Sequence, residues 1–240
     1  MIQALSWDGR DIDEKYTVTI YGRTETGDAV SVRTHFRPYF FAQTNTPKSI
    51  CDSFQLIRAK TLWGFTNNEL QTFVKFTCDS HQEMRTLVWR CRNKKLKVFE
   101  SNVDPLLRFM HRTGVQSTGW FTVADEHAVS DGPGRLFVED WQNIKPVQRD
   151  DIAPVKIMSL DIETYSSTGS FPDAEVRDDV LFQIAMTMNT GERKCFSLGE
   201  CHGEHVECCS SEKELLEKWS RYIIESDPED RKSTRLNSSH

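Results

Sequence analysis

Between Lys156 and Asp173 the chain reads K-I-M-S-L-D-I-E-T-Y-S-S-T-G-S-F-P-D. The apolar run Ile157–Leu160 has the character of a buried strand, yet it meets a carboxylate at Asp161 and a second at Glu163, with Ile162 between them. Residues i and i+2 of a strand point to one face, so the two acids converge on one side of whatever sheet the strand joins. Hard carboxylate oxygens placed this way suit Mg2+ or Mn2+. Paired ions of that kind, held about 4 Å apart, serve phosphodiester hydrolysis. The tripeptide alone is also compatible with solvated acids at a strand end, so its flanks decide.

Around this strand the pattern is mixed. Tyr16–Tyr21 and Ala29–Phe36 alternate as half-buried strands, and T-E-T-G-D between them supplies a hairpin turn. Tyr39–Phe41 follows Pro38 as another strand. A helix is expected from about Pro47 to Ala59, a strand over Leu70–Cys78, and a helix capped by Asp79-Ser80 running to about Asn93. A short strand is expected at Val98–Glu100. Asp104-Pro105 opens a helix that Gly114 closes. D-G-P-G at 131–134 reads as a loop and residues 143–154, with two prolines and a charge cluster, as a linker. Three strands are then expected at 155–160, 180–188 and 193–198. A helix from about Glu212 to Glu225 follows, with Ser211 and Glu214 as a capping box and Leu215, Trp219, Tyr222 and Ile223 on one face. The fold class is therefore α+β passing into α/β, with a mixed first domain over 1–154 and a second from 155 to 229.

Composition excludes some classes. With 240 residues, 38% of them hydrophobic, the chain can bury a core, and no apolar run approaches the ~20 residues of a membrane span. The N-terminus lacks the pattern of a signal peptide. A net charge of −6 is not the footprint of a uniformly basic nucleic-acid binder. Seven scattered cysteines suggest a reducing setting without a disulfide framework.

Several blocks in order carry a resemblance: V-T-I-Y-G-R-T-E-T-G, F-R-P-Y-F-F, D-P-L-L-R-F-M-H-R-T-G-V-Q-S-T-G-W, S-L-D-I-E-T with G-S-F-P-D and D-D-V-L-F-Q-I-A, and S-E-K-E-L-L-E-K-W-S-R-Y-I-I-E-S-D-P. Together they resemble family B DNA polymerases, most of all the delta-type enzymes and those of large DNA viruses. The resemblance implies a β-rich N-terminal domain followed by the start of an RNase H-like 3′→5′ proofreading exonuclease domain. It implies that Asp161 and Glu163 are catalytic and bind two Mg2+ or Mn2+ ions. It implies primer–template DNA, a single-stranded 3′ end and dNTPs as partners, with a processivity factor. It also implies an intracellular location, in the nucleus or at a viral replication site, with no membrane partner. The further exonuclease motifs and the polymerase aspartates are expected downstream of D-P-E-D, so this fragment by itself is expected to be inactive.

The last residues, D-R-K-S-T-R-L-N-S-S-H (230–240), resemble the translation of a sequencing-library adapter and are expected to pack on nothing. C-H-G-E-H-V-E-C-C (201–209) has zinc-ligand residue types, but all in one short turn, which favours turn residues plus core cysteines. The run R-T-L-V-W-R-C-R-N-K-K-L-K (85–97) is basic with Trp89 interleaved; Arg92, Lys94 and Lys95 are candidate phosphate contacts, against the plainer reading of a solvated helix face. Phe171, in the loop after the acids, is a candidate for stacking on a base or for anchoring its loop. Gln183 is assigned to structural hydrogen bonding. Two rival readings are a stand-alone RNase H-like exonuclease, disfavoured by the large first domain, and a non-catalytic nucleic-acid-binding module.

Overall fold

A computed structural model describes residues 1–45, 47–60 and 69–228, and the backbone of 230–233. The chain divides into two compact units, Met1–Pro154 and Val155–His240.

The first unit runs β1 (Ile2–Ile12), β2 (Lys15–Thr24), β3 (Ala29–His35), β4 (Tyr39–Gln43), β5 (Phe54–Ala59), β6 (Gln71–Thr77), α1 (His81–Asn93), β7 (Lys97–Phe99), α2 (Pro105–Thr113), β8 (Trp120–Thr122), β9 (Ala128–Ser130), β10 (Arg135–Val138) and β11 (Lys145–Val147). Among the described residues these form a seven-stranded sheet, β11-β8-β1-β2-β3-β10-β9, and a four-stranded sheet, β5-β6-β4-β7. The inward residues of β2 (Tyr16, Val18, Ile20) pack with Phe36, Phe109 and Phe121 into one buried cluster. A second cluster joins Phe40, Phe76, Met84, Leu87 and Cys91, burying the apolar stripe of α1 against the smaller sheet.

Both helices of this unit begin and end where the sequence places them. The Ser80 hydroxyl accepts from the Glu83 N–H, and the Asp104 carboxylate accepts from the N–H groups of Leu106 and Leu107. Gly114 closes α2 in the left-handed region, φ 75°, which only glycine adopts without strain. A capping contribution from a distant strand also appears: Asp11 of β1 accepts from the backbone N–H groups of His81 and Gln82 at 2.8 and 2.9 Å.

Two expectations are corrected here, and one strand is new. Pro47 to Ala59 is not a helix but a single 3₁₀ turn, Pro47–Ser49, followed by β5 paired antiparallel to β6. The i, i+3 spacing of Phe54 and Ile57 imitates a helix, and edge pairing overrides it. Residues 143–154 are not a free linker: β11 pairs with β8, Ile144 is buried, the Trp120 indole donates to the Asp151 carbonyl (2.7 Å), and the Ala153 N–H donates to Gln3 (2.7 Å). β1 was not anticipated. Its register shifts between Ala4 and Ser6, so strict alternation is lost. At that bulge the Gln3 carbonyl comes so close to Gly22 that any side chain would meet it at 2.2 Å.

The second unit runs β12 (Ile157–Tyr165), β13 (Val180–Met188), β14 (Arg193–Leu198), β15 (Val206–Cys209), α3 (Glu212–Ser226) and β16 (Asp230–Ser233). Its sheet order is β15-β14-β13-β12-β16. Met158, Ile184, Met186, Met188 and Phe196 form its core with Leu215 and Ile223 of α3. The expectation that residues 230–240 pack on nothing is corrected for Asp230–Ser233, which pair in parallel with Ile157–Leu160. The outer edge of β12 offers unpaired backbone groups, and an extended segment that reaches it satisfies them whatever its side chains. Residues 234–240 lie outside the described residues. The cysteine reading is also corrected: Cys201 and Cys208 are joined by a disulfide. Among the described residues no helix is long and apolar enough to cross a membrane.

Candidate active site

The acids lie inside a paired strand, not at its end. β12 continues to Tyr165, with Asp161 opposite Ala185 and Glu163 opposite Gln183 on β13. The strand outlasts its apolar run because Thr164 and Tyr165 keep their backbone pairing with Leu181 and Val180. Met158 and Leu160 point to the core beneath α3. Asp161 and Glu163, one residue out of phase with them, therefore share the opposite face. That face also receives Gln183, Ala185, Cys195 and Ser197, because directly paired residues lie on one side of a sheet. Immediately after Glu163 the register shifts, with Phe182 as the extra residue on β13. The bulge returns Leu181 to the core side, where it packs against the apolar cluster. The open face beside the acids is thereby kept clear of it.

Asp161 is half-buried and Glu163 is exposed. One Asp161 oxygen accepts from the Ile162 N–H at 3.1 Å. Among the described residues neither carboxylate is in an ion pair. Two negative charges on one face, neither in an ion pair among the described residues, are a fitting donor set for a hard divalent ion. The set is small: among the described residues no group of three or more His, Cys, Asp or Glu side chains is placed to hold a metal. The 201–209 turn is not such a group, since Cys201 and Cys208 are joined to each other and Cys209 is buried in the core cluster.

The loop at 166–179 is tied by a residue that sequence reasoning missed. Asp179 accepts from the Ser167 N–H and hydroxyl, both at 2.8 Å, and from the Asp173 N–H at 2.9 Å. The Asp173 N–H, followed by the two Ser167 donors, holds the Asp179 carboxyl below the usual carboxylate range. Its only sequence signal is an acid just before β13. Phe171 lies in this loop at 95% exposure, so it does not anchor the loop. Burial pushes the Cys195 thiol up, against a lowering hydrogen bond with Gln183. Arg92, Lys94 and Lys95 belong to the first unit, at the end of α1.

Residues 96–229 match the family model of the DNA polymerase family B exonuclease domain. The chain belongs to DNA polymerase family B. The DNA polymerase of Acanthamoeba polyphaga mimivirus is 28% identical over 90% of this chain and 16% of its own length. The DNA polymerase delta catalytic subunit of Caenorhabditis elegans is 31% identical over 55% of this chain and 14% of its own. The family B DNA polymerase of Pyrobaculum calidifontis superposes with a TM-score of 0.70 at 16% identity, over 100% of this chain and 31% of that one. The fold is thus that of the N-terminal and exonuclease region of such polymerases, and the chain spans less than a third of the length of these relatives.

Proposed function

We propose that this family B chain is the N-terminal portion of a replicative DNA-directed DNA polymerase, with a first domain over 1–154 and part of a 3′→5′ proofreading exonuclease from 155 to 229. Asp161 and Glu163 hold Mg2+ or Mn2+ and concentrate negative charge on the open face of the sheet. When bound, such ions activate water and offset the charge on the leaving oxygen. Phe171, fully presented to solvent on a loop braced by Asp179, stacks on a base of the single-stranded 3′ end. Primer–template DNA, dNTPs and a processivity factor are the partners of the whole enzyme, acting in the nucleus or at a viral replication site. The observation that carries this reading is the pair of carboxylates, without an ion pair among the described residues, on the face of β12 that α3 leaves open.

The test uses a polymerase carrying this segment. Asp161→Asn is expected to lower excision of a mispaired 3′ nucleotide on the order of 100-fold or more while primer extension persists. A non-catalytic binding module predicts unchanged excision, and that outcome would end the reading.

A further inference from the structure

The solvent face of α1 combines two features. First, residues 85–97 hold six Lys or Arg and no acid, in a chain whose net charge is −6. Second, Trp89 is 64% exposed, the one exposed tryptophan among the described residues. Met84, Leu87, Val88 and Cys91 turn the other side of the helix into the core. At 3.6 residues per turn, Arg85, Trp89 and Arg92 fall within a sector of roughly 60° on the outward side.

Some of this charge has a structural use. Arg90 and Arg92 lie in the last turn, where cations complement the helix dipole. Lys94 ties the helix end to Ser49, donating to its carbonyl at 3.0 Å and to its hydroxyl at 3.3 Å. Arg92 reaches the Ser101 hydroxyl at 3.3 Å with one of its guanidinium nitrogens. Arg85 is neither near the helix end nor in an ion pair among the described residues, and the Trp89 ring makes no aromatic or cation–π contact there. Structural use therefore accounts for Lys94 but leaves Arg85 and Trp89 unexplained.

We propose that this face is a docking surface for single-stranded DNA, with Trp89 as the stacking platform and Arg85 and Arg92 as phosphate contacts on its flank. A flat aromatic face open to solvent between guanidinium groups matches unpaired bases on a polyanionic backbone. Duplex DNA presents no free base faces, so the platform distinguishes the two. The surface lies in the first unit and does not depend on the exonuclease reading.

The experiment titrates the full chain with a fluorescently labelled oligo-dT of about 20 nucleotides at several salt concentrations, following anisotropy. Trp89→Ala is expected to weaken binding roughly tenfold at every salt concentration, with the salt slope unchanged and with Trp89→Phe restoring most of the affinity. Arg85→Gln and Arg92→Gln are each expected to lower the slope of log K against log salt by about 0.7. All three residues are exposed, so a thermal melt of each of the four variants is expected to show the fold intact. Absence of binding overturns the proposal. So does equal binding of heparin or duplex DNA with no effect of Trp89→Ala, which makes the face a general polyanion surface or a protein contact.

Discussion

The two faces of the sheet in the second unit are built from the same strands and have opposite characters. On one, Met158, Ile184, Met186, Met188 and Phe196 are buried beneath α3. On the other, Asp161, Glu163, Gln183 and Cys195 are polar or only half covered, and no helix of the unit lies over them among the described residues. A period of two lets one set of positions supply the stability while the interleaved set is left free for chemistry. The bulge after Glu163 maintains the separation by turning Leu181 to the core.

The sharpest way to break this comparison is to empty the covered face. Phe196 is 2% exposed, with its ring 6.2 Å from that of Tyr222. Phe196→Ala is expected to cost about 3–5 kcal/mol. Hydrogen exchange would show it: amides of β13 should lose protection while those of Val18 and Ile20 in β2 keep theirs. If both units opened together, the covered face would not be the separate source of stability assumed here.

A smaller effect concerns the helix that does the covering. Glu214 at the start of α3 accepts from the Ser210 hydroxyl and N–H and from Lys218, and these bonds lower its carboxyl from 4.5 to about 2. A depressed carboxylate contributes stability above its ordinary value and loses it as the pH falls through the folded value. The second unit should therefore weaken between pH 4.5 and about 2, and Glu214→Gln should flatten that part of an acid-unfolding curve. An unchanged curve would assign the acid loss to other groups.

Much of this arrangement was legible in the sequence. The helix starts at Ser80, Asp104 and Ser211 are local signals, and the shared face of Asp161 and Glu163 follows from strand period alone. What was hidden depends on distant partners. β5 is a strand because β6 lies beside it, and Asp11 caps a helix 70 residues away. Asp179 braces a loop by reaching back to Ser167. The extension of β12 through polar Thr164 and Tyr165 needs β13, and the bulge at Phe182 cannot be read from either strand by itself. Even the Ser211–Glu214 box differs in detail: the Glu214 side chain takes the N–H of Ser210, one residue before the cap.

The smallest effect on stability should come from the residues of greatest functional interest. Among the described residues Asp161 and Glu163 contribute no ion pair and no packing to the core, so Asp161→Asn and Glu163→Gln should each change stability by no more than about 0.5 kcal/mol. Relief of like-charge repulsion on the shared face makes a slight gain the expected sign. Added Mn2+ should reverse the order. An ion that binds the folded wild-type chain through both carboxylates stabilises it by mass action, and the variants lose that increment. Thermal melts with and without Mn2+ check this directly. If the metal shifts wild type and both variants alike, the two acids share a face without sharing an ion, and the open face has to be explained by something other than metal binding.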